Sequence, residues 1–176
     1  LHLLELIRDE IGFEAVRGKA VPGLRGLKIA AYYGCLLLRP SEAAIDDPEN
    51  PSIMEELVRS LGGEAVDFPW KHECCGAYLG ATEPGTVALR TQEIILSAAR
   101  RGAEAIMTSC PLCFFNLEER RPPSLEANLP VFYFTELMTL ALGLGLKEEH
   151  LKLHKVDPRP ALIQRGLMIT TKSTKG

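Results

Sequence analysis

The sequence predicts an α/β protein: a Rossmann-like parallel sheet of about four strands with helices on both faces. Short apolar runs of strand length alternate with amphipathic stretches of helix length, in the order β-α-β-α-β-α-β-α. That alternation implies parallel strands joined by crossover helices. The chain has 176 residues, 46% of them hydrophobic, which suffices for one substantial core in a globular protein.

The first 26 residues read as an N-terminal helix and a Gly-rich linker. Residues 27–150 form the main domain, and 151–176 a C-terminal extension. Within the main domain, "LKIAAYYG" (Leu27–Gly34) is an apolar run closed by Gly, as in a buried strand. "PSIMEELVRSLGG" spaces Ile53, Met54, Leu57, Val58 and Leu61 three and four apart, an amphipathic helix. Asn50 is its expected cap, Pro51 its first residue, and Gly62 and Gly63 its stop. "EAVDFPW" follows as a short strand, and "TEPGTVALRTQEIILSAARRGA" as a long helix capped by Thr82 and ended at Gly102. "AEAIMTS" is the third strand, and "CPLCFFNLEER" starts a helix with Pro111 in its first turn. After the loop "RPPSLEANLP", "VFYF" is a strand and "TELMTLALGLG" a helix opened by Thr135. "HKVDPRPALIQRG" reads as irregular, and the polar tail "TTKSTKG" as disordered. No internal repeat is visible.

Composition excludes several classes. The longest apolar run, "LMTLALGLGL" (Leu137–Leu146), is far short of a membrane span and reads as a buried helix. A net charge of −3 offers nothing for neutralising nucleic-acid phosphates. No signal peptide is present, and five cysteines is an odd count. Both argue against a secreted disulfide framework and for a cytoplasmic protein.

The cysteines are Cys35, Cys74, Cys75, Cys110 and Cys113, spaced C-x38-CC-x34-C-x2-C. Placed on the strand plan, Cys35 follows the first strand and Cys74 and Cys75 lie in the loop after the second. Cys110 ends the third, and Cys113 lies in the helix that starts there. All five are thus expected at the carboxyl edge of the sheet, where open parallel sheets form their sites. Soft thiolates select zinc, copper(I) or iron–sulfur clusters. A CxxC at a helix start puts two sulfurs on one turn, where the positive helix end favours thiolate. Zinc and a cubane cluster each need four ligands, so five thiols leave one spare or mark an unusual cluster.

The motifs "YYGCLLLRP", "DDPENP", "KHECCGA" and "CPLCFFNLE", with the closing "HKVDPRPALIQRGL", resemble the CCG domain of the heterodisulfide reductase B subunit over about Leu27–Gly166. Lactate-utilisation and glycolate oxidase iron–sulfur proteins share the cysteine frame but match "CLLLRP" and "CPLCFFNL" less well. The resemblance implies an oxidoreductase component that reduces a disulfide, of the coenzyme M–coenzyme B type or another thiol or sulfur substrate. It implies a noncubane [4Fe-4S] cluster held by Cys35, Cys74, Cys75, Cys110 and Cys113. Its partners would be a flavin-containing A-type subunit, and a ferredoxin-like C-type subunit. The B subunit carries two CCG domains, and this chain resembles the carboxyl-terminal one. The N-terminal CCG half is therefore missing, and Leu1 marks a fragment or a split protein, inactive when isolated.

Two alternatives stand beside this. One is a zinc-bound structural domain, and the other an iron–sulfur relay in a lactate or glycolate dehydrogenase-type complex. An apo or disulfide-bonded form is expected in an aerobic sample, because oxygen degrades exposed clusters and frees thiols to pair.

Further residues are singled out around the cysteines. His72 is a candidate catalytic proton donor, and Lys71 a candidate catalytic charge partner for the cluster or substrate. Arg39 has the same two readings as Lys71, and His154 reads as structural. Gly34 and Gly76 are expected where φ is positive or a cluster approaches closely. Of Tyr32 and Tyr33, one is expected in the core and the other as a shield for the cluster. "FFNL" after Cys113 reads as core.

Overall fold

A computed structural model describes residues 1–168, and the "TTKSTKG" tail lies outside the described residues. Four parallel strands form one sheet: β1 (Lys28–Tyr32), β2 (Glu64–Val66), β3 (Ala105–Thr108) and β4 (Val131–Tyr133), ordered β2-β1-β3-β4. The register pairs Ala30 with Val66 and with Ile106, and Met107 with Phe132. The order reverses between β1 and β3. At such a switch point the two crossovers leave in opposite directions and open a crevice at the strands' carboxyl ends.

Helices cover both faces, as the alternation predicts. On one face α1 (Leu3–Leu6), α2 (Phe13–Lys19), α3 (Ile53–Ser60) and α6 (Phe134–Ala141) pack on Ile29, Ala31, Met107 and Phe132. On the other, α4 (Pro84–Arg100) and α5 (Pro111–Glu119) pack on Ala30, Tyr32, Ile106 and Val131. The strands are apolar on both faces because both are buried. Leu4, Ile7, Val16 and Leu24 from the N-terminal segment are buried in the first of these cores.

Several local expectations are corrected. The α3 cap is not Asn50: Ser52 holds that position, and Pro51 precedes the helix. The free amides of Ser52 and Ile53 donate instead to Asp46 Oδ2, at 2.6 and 2.7 Å. The next amide, of Met54, donates to Tyr33 Oη at 2.9 Å. Tertiary acceptors thus do what a local side chain was expected to do. Glu83, not Thr82, precedes α4, with Pro84 at its first position and no side-chain cap. Tyr133, not Thr135, stands at the α6 cap, and its N–H donates to Glu136 Oε2 at 2.8 Å. That helix stops at Ala141, because Gly143 and Gly145 have positive φ, and Leu144 is 75% exposed rather than buried. "HKVDPRPALIQRG" is not wholly irregular: α8 spans Arg159–Gln164. Asp157 accepts the Arg159 N–H at 3.0 Å, and Leu162 is buried. A short helix, α7 (Glu148–Leu151), precedes it.

Candidate cluster site

The carboxyl ends of β1 and β3 supply the first sulfurs. Cys35 follows β1 in a tight turn whose Cys35 carbonyl accepts the N–H groups of Leu38 and Arg39, at 3.1 and 2.9 Å. Cys110 ends the β3 segment and precedes Pro111, the first residue of α5. Cys113 then stands one helical turn above it.

The loop carrying Cys74 and Cys75 is bent back over the end of β1. Lys71 O accepts the Tyr33 and Gly34 N–H groups at 2.8 and 3.3 Å, and Tyr32 Oη donates to Glu73 O at 2.7 Å. Burial and the surrounding sulfurs push the Tyr32 phenol up, so it stays a neutral donor. Gly76 adopts the left-handed conformation, with φ 76° and ψ 23°. The turn frees the loop from strand geometry, so adjacent side chains are not sent to opposite faces.

All five cysteines line one cavity of about 210 Å³, together with Leu36, Ala77, Tyr78 and Leu112. Cys35 Sγ lies 3.5 Å from Cys74 Sγ, and Cys75 Sγ lies 3.6 Å from Cys113 Sγ. All five are free thiols. Leu36, Tyr78 and Leu112 are exposed at the rim. The thiols surround a volume several atoms wide. Among the described residues, no three His, Cys, Asp or Glu side chains converge on a point that would hold a single ion.

The sulfurs differ in protonation. The Cys113 thiol, donating to Cys110, pulls that group down to about 6, and the Cys113 and Leu112 amides at the start of α5 add to this. The same Cys113 thiol, followed by the Ala77 amide and Asn116, brings Cys75 to about 7. Cys113, donor to both, is raised and stays a thiol. Burial and donation to Cys74 push Cys35 up to about 11.

Two glycines make the site possible in different ways. Gly34 has φ 66°, and a Cβ there would sit 2.7 Å from Cys113 Sγ. At Gly76 a Cβ would meet only Val87, at 3.6 Å, so φ alone requires glycine.

The remaining candidates lie apart from the cavity lining. Lys71 Nζ is 3.1 Å from Glu55 Oε1, 3.0 Å from Asp67 Oδ1 and 3.3 Å from Pro51 O, so its ammonium is directed at α3. Burial pulls the Lys71 pKa down, but these two carboxylates outweigh it and hold the pKa above the ordinary lysine value. Buried Glu55 also accepts from Tyr33 Oη. His72 follows in the same loop, and its Nδ1 is buried without a hydrogen-bond partner. Arg39 is exposed. His154 bonds Val131 O at 3.0 Å and Glu136 Oε1 at 3.2 Å, and its ring packs edge-on against Phe114.

Asn116 is the residue that sequence reading missed, having been absorbed into the "FFNL" core. It is 3% exposed, and its Nδ2 lies 3.4 Å from Cys75 Sγ and 3.4 Å from Cys75 O. A polar residue three positions after Cys113, on the same helix face, was the available signal.

A doubly wound parallel sheet with a thiol-lined cavity at its switch point defines a class: a cysteine-rich domain whose soft sulfur donors could hold a metal group. The family model described as a cysteine-rich domain, CCG, matches residues 29–118, just over half of the chain. The chain therefore belongs to that family. It is 31% identical over 150 residues to the 8-methylmenaquinol:fumarate reductase membrane anchor subunit of Wolinella succinogenes, covering 82% of this chain and 53% of that protein. It is 32% identical over 156 residues to the B subunit of the ferredoxin/F(420)H(2)-dependent CoB-CoM heterodisulfide reductase of Methanosarcina acetivorans, covering 84% and 51%. A protein of Archaeoglobus profundus that is like the heterodisulfide reductase B subunit is 28% identical over 176 residues, covering 94% and 58%. The chain spans about half the length of the relatives it matches. Among the described residues, no helix is long and apolar enough to cross a membrane.

Proposed function

We propose that this chain is the cluster-carrying part of a heterodisulfide reductase-like complex, an electron-transfer and catalytic component that reduces a disulfide at a noncubane [4Fe-4S] cluster. The observation that carries the reading is the convergence of Cys35, Cys74, Cys75, Cys110 and Cys113 on one cavity. A polynuclear cluster fits that arrangement, because its irons are spread over a volume and each needs its own sulfur. When bound, the cluster would supply electrons and an iron able to hold a substrate sulfur. The chain's own residues do the rest. Backbone amides from Leu112 and Cys113 favour anionic sulfur at Cys110, and the Gly76 N–H donates to Cys74 Sγ. Leu36, Tyr78 and Leu112 form an apolar rim that lowers the local dielectric and limits water. His72, with its unpartnered Nδ1, is the candidate for delivering a proton to a departing thiolate. Lys71 remains a candidate to place positive charge behind the loop.

On this reading residues 27–150 hold the cluster. The partners are a second CCG half, a flavin-containing protein of the A type and a ferredoxin-like protein of the C type. The setting is cytoplasmic. The similarity to a fumarate reductase component supports a second reading: the same cavity serves an electron relay whose acceptor is not a disulfide. Anaerobic reconstitution with the partner proteins, followed by EPR on addition of a thiol, separates the two. A new paramagnetic signal that depends on the thiol supports disulfide chemistry. A loaded cluster indifferent to thiols supports the relay.

A further inference from the structure

We propose that Asn116 is a positioning residue for Cys75, which it holds in place while tuning the reduction potential of the group the sulfurs carry. The proposal rests on the cluster reading above. Among the described residues, Asn116 is the side chain outside the five cysteines that donates a hydrogen bond to one of their sulfurs. The nearest comparison is Cys74, whose sulfur accepts the Gly76 N–H at 3.3 Å. Backbone alone serves that sulfur, whereas the more buried Cys75 has a side-chain donor in addition to the Ala77 amide.

The surroundings make this amide costly unless it is used. Asn116 is buried on α5, whose buried neighbours Cys113 and Leu117 belong to the apolar core of that face. Asn is also a weaker helix former than Leu. A buried amide without partners costs about 1–3 kcal/mol. Both partners of Nδ2 belong to Cys75: its sulfur and its carbonyl oxygen. The amide therefore ties the CC loop to α5, the helix that carries Cys113, and fixes the distance between the two halves of the sulfur set. An N–H dipole aimed at a ligating sulfur favours the more negatively charged state of the group it holds, which raises its reduction potential.

The test compares wild type, Asn116→Leu, Asn116→Ser and the exposed control Glu119→Gln, each reconstituted anaerobically with iron and sulfide in the presence of the partner proteins. Circular dichroism reports the fold, iron and labile sulfide the loading, and a redox titration the midpoint potential. Asn116→Leu keeps the branched shape with the same number of side-chain heavy atoms, at a larger volume, and removes the donor. The expected result is a folded chain whose oxidised-to-reduced ratio at fixed potential rises about tenfold, a fall of about 59 mV for one electron. Reduced loading in a folded variant, with the control unchanged, supports the same coupling. If Leu disrupts the fold, Ser, too short to reach the sulfur, carries the comparison. Folded variants with wild-type loading and wild-type potential overturn the proposal. A folded wild-type chain that takes up no iron overturns the cluster reading, and this inference with it.

Discussion

Tyr32 and Tyr33 stand side by side at the end of β1 and point into opposite interiors. Tyr33 enters the face covered by α3, where its hydroxyl joins Met54 N, Glu55 and, through Glu55, Lys71 and Asp67. Every member of that chain has a partner of opposite or complementary charge. Tyr32 enters the face covered by α4 and α5, where its hydroxyl pins the CC loop and its neighbours are sulfurs. There the thiols have amide donors and one another, and the nine residues lining their cavity include no Asp, Glu, Lys, Arg or His. A closed polar network stabilises an architecture, whereas a ring of soft donors around an apolar-rimmed space is left for a guest. Both tyrosines are fully buried, Tyr33 in one core and Tyr32 in the other, so the expectation that only one of them belongs to the core is corrected.

The largest expected effect that probes the comparison is at Gly34→Ala. It adds a left-handed non-glycine residue and drives a Cβ to within 2.7 Å of Cys113 Sγ. We expect about 2–4 kcal/mol of destabilisation and loss of iron uptake, checked by urea unfolding and iron analysis. Intact loading would show that the sulfur-lined face is not as tightly set as its geometry indicates. On the other face, Lys71→Met leaves buried Glu55 without its cation. A broken buried pair costs about 3–5 kcal/mol, and the exposure of Asp67 reduces that to about 2–3 here. We expect the unfolding midpoint to fall while iron loading persists. A folded Lys71→Met chain that no longer loads iron would instead bring Lys71 into the site.

The smallest effect is a pH dependence at the C-terminal segment, where His154 faces Glu136 and Glu118. Burial lowers the His154 pKa, but the Glu136 hydrogen bond and both carboxylate charges outweigh it, so the folded-state pKa is raised. The stabilisation is then fully present below the ordinary histidine value of about 6.5 and is lost as pH rises through the folded-state pKa. We expect the stability advantage of wild type over His154→Gln in urea melts to be present below about pH 6.5 and to shrink as pH rises above it; an advantage that does not change with pH would contradict the pairing.

The sheet and the gathering of cysteines were legible because both follow from local pattern. Apolar runs such as "LKIAAYYG" and "AEAIMTS" mark strands by length and periodicity, and parallel topology then sends the loops after them to one edge. Gly76 was legible for the same reason, since a turn between a cysteine pair and the following helix calls for glycine. Other features depend on contacts distant in sequence. Asp46 caps α3 from six and seven residues away, which left Asn50 as the nearest plausible cap. The pairing of Lys71 with Glu55 depends on how the loop after β2 lies over α3. Asn116 looks like any polar residue in a helix until Cys75 is placed opposite it.

The count of iron and acid-labile sulfide per chain after anaerobic reconstitution with partner proteins tests the central claim most directly. The proposed [4Fe-4S] cluster predicts about four iron and about four sulfide per chain. One zinc per chain with no labile sulfide would contradict it.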